Sequence, residues 1–130
     1  MDVPRTLAAA LSLSRVAFGV NYLGRPTAAR ASWIGRAAKK PGAQVIIRSQ
    51  GVRDVALGAG AIRALVRGDV PELRVWVAAH AACDLVDLVA TWSARDALPR
   101  RRARMAMIVA GASTIVGGSA AVGLRPRGDD

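Results

Sequence analysis

The segment HAACDLVDLVATW, residues 80–92, sets one imidazole and two carboxylates inside an apolar run from Leu73 to Trp92. On an α-helix Trp76, His80, Asp84, Asp87 and Thr91 fall on one stripe. His80 and Asp84 stand at i and i+4, close enough to hydrogen-bond directly. A carboxylate beside an imidazole in a low-dielectric site is the equipment of a general acid/base pair. Isomerisation, cyclisation or hydration of a small or lipophilic substrate would need little more, so His80 and Asp84 are the catalytic candidates. The plainer alternative makes His80 a hydrogen-bonded interior residue and the aspartates structural supports.

Those aspartates need partners wherever the segment is buried. One unpaired Asp at the centre of a bilayer costs about 2.5 to 3.5 kcal/mol on insertion scales. If the segment before RGDVPE (67–72) folds back on the one after it, Arg53 comes level with Asp87. Matching the ends of the first and third apolar segments sets Arg15 near the depth of Asp84. Two interior ion pairs are therefore expected, Arg15 with Asp84 and Arg53 with Asp87, with Asp54 left over. Ser12, Arg15, Gly19 and Tyr22 share a helical face, so the Tyr22 phenol joins the same interior. Arg15 or Arg53 could hold an anionic or carbonyl group there.

Four apolar segments must carry these residues: about 6–23, 48–66, 73–92 and 102–123. Each is long enough, as a helix, to cross roughly 30 Å of hydrocarbon. Gly and Pro punctuate every connection, at Gly24 and Pro26, at KKPG (39–42), at RGDVPE and at LPRRR (98–102). The fold expected is all-α, a single-domain four-helix transmembrane bundle over residues 1–130. A small-residue seam is expected on the second segment at Arg53, Ala56, Gly60 and Ala64, and on the fourth at Gly111, Gly117, Gly118 and Ala121. The first loop, PTAARASWIGRAAKK, is either a short interfacial helix or a solvated basic loop anchored by Trp33. The first segment does not read as a signal peptide, because Arg15 interrupts its apolar run.

Composition agrees with that class. The chain is 52% hydrophobic with 4% aromatic residues, and its mean hydropathy of +0.27 is high for 22% charged residues, so the charges must be segregated. They are: Arg25, Arg30, Arg36, Lys39, Lys40 and Arg48 fall in the first loop, and Arg95, Arg100, Arg101, Arg102 and Arg104 between the third and fourth segments. The opposite side holds only Arg5, Arg63, Arg67, Arg74, Arg125 and Arg127. By the positive-inside rule the chain lies in the plasma membrane, multi-pass, with both termini outside and both basic loops cytoplasmic against anionic headgroups. The net charge of +10 is thereby explained without nucleic acid, for which the basic stretches lack interleaved stacking aromatics.

A single cysteine, Cys83, excludes an internal disulfide, and with a single histidine it makes a metal centre unexpected; no cofactor is called for. GVRDVALGAGAIRALVRGD followed by HAACDLVDLVATW resembles small four-span membrane proteins of high-GC bacteria that carry no assigned activity. The resemblance covers residues 51–92 and rests on the Gly51-x-Arg53-Asp54 start and the two-aspartate helix. It implies the four-helix membrane architecture and brings no mechanism. The sequence thus points to a small integral membrane protein whose interior charge stripe, Arg15, Tyr22, Arg53, Asp54 and Asp87 with His80 and Asp84, binds a small or lipophilic ligand or stabilises a partner. The partner would be a second copy or a larger membrane complex. The alternatives are a membrane-embedded acid/base enzyme and a purely structural bundle.

Overall fold

The computed structural model describes residues 2–124, so Arg125 and Arg127 lie outside the described residues. The described chain is all-helical: α1 (Val3–Gly24), α2 (Pro26–Ile34), α3 (Pro41–Arg67), α4 (Val70–Ser93) and α5 (Arg100–Gly123), with short 3-10 turns at Gly35–Lys39 and Arg95–Ala97.

Local chemistry sets the helix ends. Asp2 caps α1, accepting the Arg5 amide at 3.0 Å, and proline stands in the first turn of α1, α2, α3 and α4. Gly68 closes α3 with φ 69°, a left-handed conformation that glycine adopts without steric cost. The Gly68 and Asp69 amides then reach back to the Leu65 and Ala64 carbonyls at 3.2 and 3.0 Å. Asp69 in turn caps α4 through the Glu72 amide at 2.9 Å, and Glu72 pairs with Arg63 across the hairpin. This tight turn fixes the antiparallel register of α3 and α4. The first loop is ordered into α2, and α3 starts at Pro41, ahead of the expected residue 48.

Four long helices alternate in direction, with α1 packed closely on α3, α4 on α5, and α3 on α4. The α1–α3 contact is made by glycine: a Cβ on Gly19 would stand 2.6 Å from the Gly51 carbonyl oxygen, and one on Gly58 2.6 Å from that of Ser12. The buried seam of α3 therefore runs along Gly51, Asp54, Gly58, Ala61 and Ala64; of the expected seam residues only Ala64 lies on it, and Arg53, Ala56 and Gly60 do not. Arg53 is turned toward α4, Ala56 faces out, and Gly60 leaves room for the Trp76 ring. On α5, Gly117 meets Ala81 of α4, whereas nothing approaches Gly118. α1 and α5 touch at one end, where Gly123 faces Pro4; at the other, α2 packs against α1, α3 and α5.

The apolar core is small, built from Ala8, Ala61, Ala64, Val70, Leu73, Val77, Ala120 and Leu124. Buried with it are Ser12, Arg30, Asp54, His80, Asp84 and Thr91, while Leu13, Phe18, Val20, Ile108, Ile115 and Val122 face outward. Two helices, α1 and α5, are long and apolar enough to cross a membrane, and only 17% of each apolar stretch is covered by the rest of the fold. α3 and α4, which carry most of the interior charges, are not among them, so four spans do not follow from hydropathy.

Candidate functional site

α1, α3 and α4 each turn ionisable side chains inward, and these join into one ladder. Asp84 of α4 is paired with the Arg15 guanidinium of α1. The other Arg15 amino group donates to Asp54 of α3 at 2.9 Å. Asp54 also accepts from Arg53 at 3.2 Å, and Arg53 reaches Asp87 of α4 at 3.0 Å. The order is Asp84–Arg15–Asp54–Arg53–Asp87, in which every carboxylate has an arginine. Asp54, left over by the helix alignment, is the node: one oxygen serves both cations. Gln50 adds a weak donation to Asp87 at 3.5 Å.

His80 lies on the same stripe of α4, 2% exposed, yet neither ring nitrogen has a hydrogen-bond partner. The Leu57 backbone approaches the ring without reaching hydrogen-bond geometry. The His80 carbonyl accepts from Arg15 at 3.3 Å. Asp84, drawn to Arg15, makes no hydrogen bond with the imidazole, so the two candidate catalytic groups share a wall without forming a couple. Cys83 is half-buried and free. Among the described residues no cluster of His, Cys, Asp or Glu could hold a metal ion.

Beyond the ladder, α2 brings in residues that sequence reasoning had placed in a headgroup-facing loop. Arg30 is 4% exposed. Its guanidinium carbon sits 4.2 Å from the ring centroids of both Tyr22 on α1 and Trp33 on α2, a double cation–π clamp. The Trp33 indole N–H donates to the Thr91 hydroxyl at 3.1 Å, and Thr91 donates to the Asp87 carbonyl, tying α2 to the end of the stripe. One signal could have found this arrangement: Arg30 and Trp33 are three apart, hence on one face if the loop is helical.

These groups surround a cavity of about 380 Å³ between α1, α2, α4 and α5. Its inner wall carries Arg15, Asp54, Asp84, Asp87 and His80, its α2 end Tyr22, Arg30 and Trp33, and its outer rim Phe18, Met105 and Val109. Those three rim residues are more than half exposed, so the cavity opens sideways between α1 and α5 on the apolar face of the bundle. A second hollow of about 350 Å³ lies beyond Arg30, Trp33 and Asp87, toward Ile46, Ile47 and Leu98. All seven candidate residues except Arg53 line the larger cavity; Arg53 stands behind Asp54 and Asp87. No family model, no curated protein and no solved structure matches the chain.

Proposed function

We propose that this protein is a four-span integral membrane protein that binds a small lipophilic ligand in the lateral cleft between α1 and α5. The membrane reading is supported by the inverted distribution of side chains. Large apolar residues cover the outside of all four long helices, among them Leu13, Val52, Val86 and Ile115. The charges in the middle of α3 and α4, Arg53, Asp54, Asp84 and Asp87, are turned inward and paired, which is how ionisable groups are tolerated inside a bilayer; Arg48, Arg63, Arg67 and Arg74, nearer the helix ends, are exposed. The α2 end, with its excess of Arg and Lys, would face the cytoplasm and anionic headgroups.

One observation carries the ligand reading: the cavity wall includes two deeply buried polar side chains, Arg30 and His80, with unpartnered nitrogens. Buried polar atoms are almost always satisfied, and an exception calls for an absent partner. The volume lies at the small end of ligand pockets, and the apolar rim gives access from the hydrocarbon. The ladder and the cavity have separate roles in this reading. Closed ion pairs hold α1, α3 and α4 together, and the cavity beside them takes the ligand. An acid/base enzyme is less well supported, because Asp84 is committed to Arg15 and does not meet His80.

The test is native mass spectrometry of the full chain released from its own membrane. A retained small lipophile, lost in Ala106→Trp at the cleft wall, is the expected result. Protein that is empty in both forms, even after incubation with total membrane lipid, would remove the ligand reading.

A further inference from the structure

The unpaired cation at the end of the cleft says what the ligand carries. In the ladder, two arginines meet three aspartates, and each carboxylate is engaged by Arg15 or Arg53. Arg30 takes part in none of these ion pairs. Its Nε is buried without a hydrogen-bond partner, and its guanidinium carbon lies over the Tyr22 and Trp33 rings. Aromatic rings stack on the face of a guanidinium and leave the rim of in-plane donors unused. That rim is planar and forked, the geometry that matches a carboxylate or phosphate in two parallel hydrogen bonds. Burial pulls the Arg30 guanidinium pKa below its ordinary value, against the opposing influence of Tyr22, Asp87 and Asp54.

Position agrees with charge. Arg30 lies on α2, which packs across the end of the bundle where the basic loops gather. The apolar rim of the same cavity, Phe18, Met105 and Val109, lies along α1 and α5. An amphiphile standing in the cleft would therefore have its head level with the membrane interface and its apolar body against the two outward-facing helices.

We infer that Arg30 is an oxyanion receptor, and that the ligand of the cleft is an amphiphile with a carboxylate or phosphate head held by its guanidinium rim. The inference rests on the cleft being a lipophile site. Its test separates the two claims by using a matched pair of probes, decanoate and decanol, on the full chain in phosphatidylcholine nanodiscs, with empty nanodiscs as background. Decanoate should bind roughly tenfold tighter than decanol, as one charge-assisted hydrogen-bonded contact implies. Arg30→Gln should bring decanoate down to the level of decanol while leaving decanol unchanged. Arg30→Lys, which keeps the charge and loses the fork, should retain part of the difference, and it carries the test if the glutamine variant does not fold. Inorganic phosphate as competitor distinguishes the source of the head: displacement of decanoate at equal concentration means a free oxyanion suffices, and failure to displace it means the acyl body is required. Equal binding of the two probes, or a difference that survives Arg30→Gln, overturns the assignment of Arg30 and leaves the cleft intact. Binding of neither probe overturns both.

Discussion

Arg15 and Asp84 form an ion pair between α1 and α4, two helices whose backbones scarcely touch. α1 packs on α3 and α4 on α5, so the pair spans the bundle where apolar packing does not. Both side chains are nearly covered, with 11% and 12% of their surfaces exposed. Breaking a buried pair from one side strands the other charge, at about 3 to 5 kcal/mol. Arg15→Met should accordingly lower the thermal midpoint in mild detergent sharply. Replacing both groups, Arg15→Met with Asp84→Leu, should recover most of that loss, because Asp54 still has Arg53. A double variant no more stable than Arg15→Met alone would mean that an unpaired Asp84 is not what destabilises the single variant.

Asp54 should be the most sensitive of the three carboxylates. One of its oxygens accepts from both Arg15 and Arg53, so Asp54→Asn weakens two contacts. Asp87→Asn leaves Arg53 with Asp54. The expected order of destabilisation is Asp54→Asn well above Asp87→Asn. Combining Asp54→Asn with Asp84→Asn should be strongly non-additive, since both act on Arg15. Additive losses in chemical unfolding would show that the ladder behaves as independent pairs.

The ladder was legible because helical periodicity and end-matching are geometric. Trp76, His80, Asp84, Asp87 and Thr91 share a stripe whatever they pack against, and a turn at Gly68 fixes which residues of α3 and α4 come level. Rotation about a helix axis is less constrained. Asp54 and Arg53 are neighbours in sequence and about 100° apart around the helix. A choice of seam through Arg53 and Gly60 over Gly51 and Gly58 therefore left Asp54 without a role. The choice depends on which helix approaches most closely, and that is decided by the Gly19–Gly51 contact between distant segments. Arg30 was hidden for another reason. A loop rich in Arg and Lys reads as solvated; the spacing of Arg30 and Trp33 puts them on one face if the loop is helical, but nothing local says that Tyr22 of another helix will meet the same guanidinium.

The glycine contacts predict a contrast within one residue type. A Cβ on Gly58 would lie 2.6 Å from a backbone oxygen of α1, which cannot move aside without shifting the helix. Gly58→Ala should cost about 1 to 3 kcal/mol, as overpacking does, and it should also loosen the Arg15–Asp54 contact one turn away. Gly118→Ala meets open space and should stabilise by about 0.5 to 1 kcal/mol through helix propensity. Thermal midpoints of the two variants in the same detergent test the pair. Equal shifts would mean that α1 and α3 are not held as closely as described.

The four-span reading makes α3 and α4 cross the bilayer despite their charges, and this can be tested without any ligand. Cys83 is the single cysteine, so a Cys83→Ser background allows one new thiol at a time. Arg67→Cys at the α3–α4 turn and Lys40→Cys before α3 lie at opposite ends of a 27-residue helix, about 40 Å apart at the α-helical rise. In intact cells a membrane-impermeant maleimide should label Arg67→Cys and leave Lys40→Cys untouched until the membrane is opened. That direction is the one the positive-inside rule predicts from the excess of Arg and Lys beside α2. Labelling of both positions from the same side would leave α1 and α5 as the only crossing helices, and it would place the ion ladder of α3 and α4 at the membrane surface instead of within it.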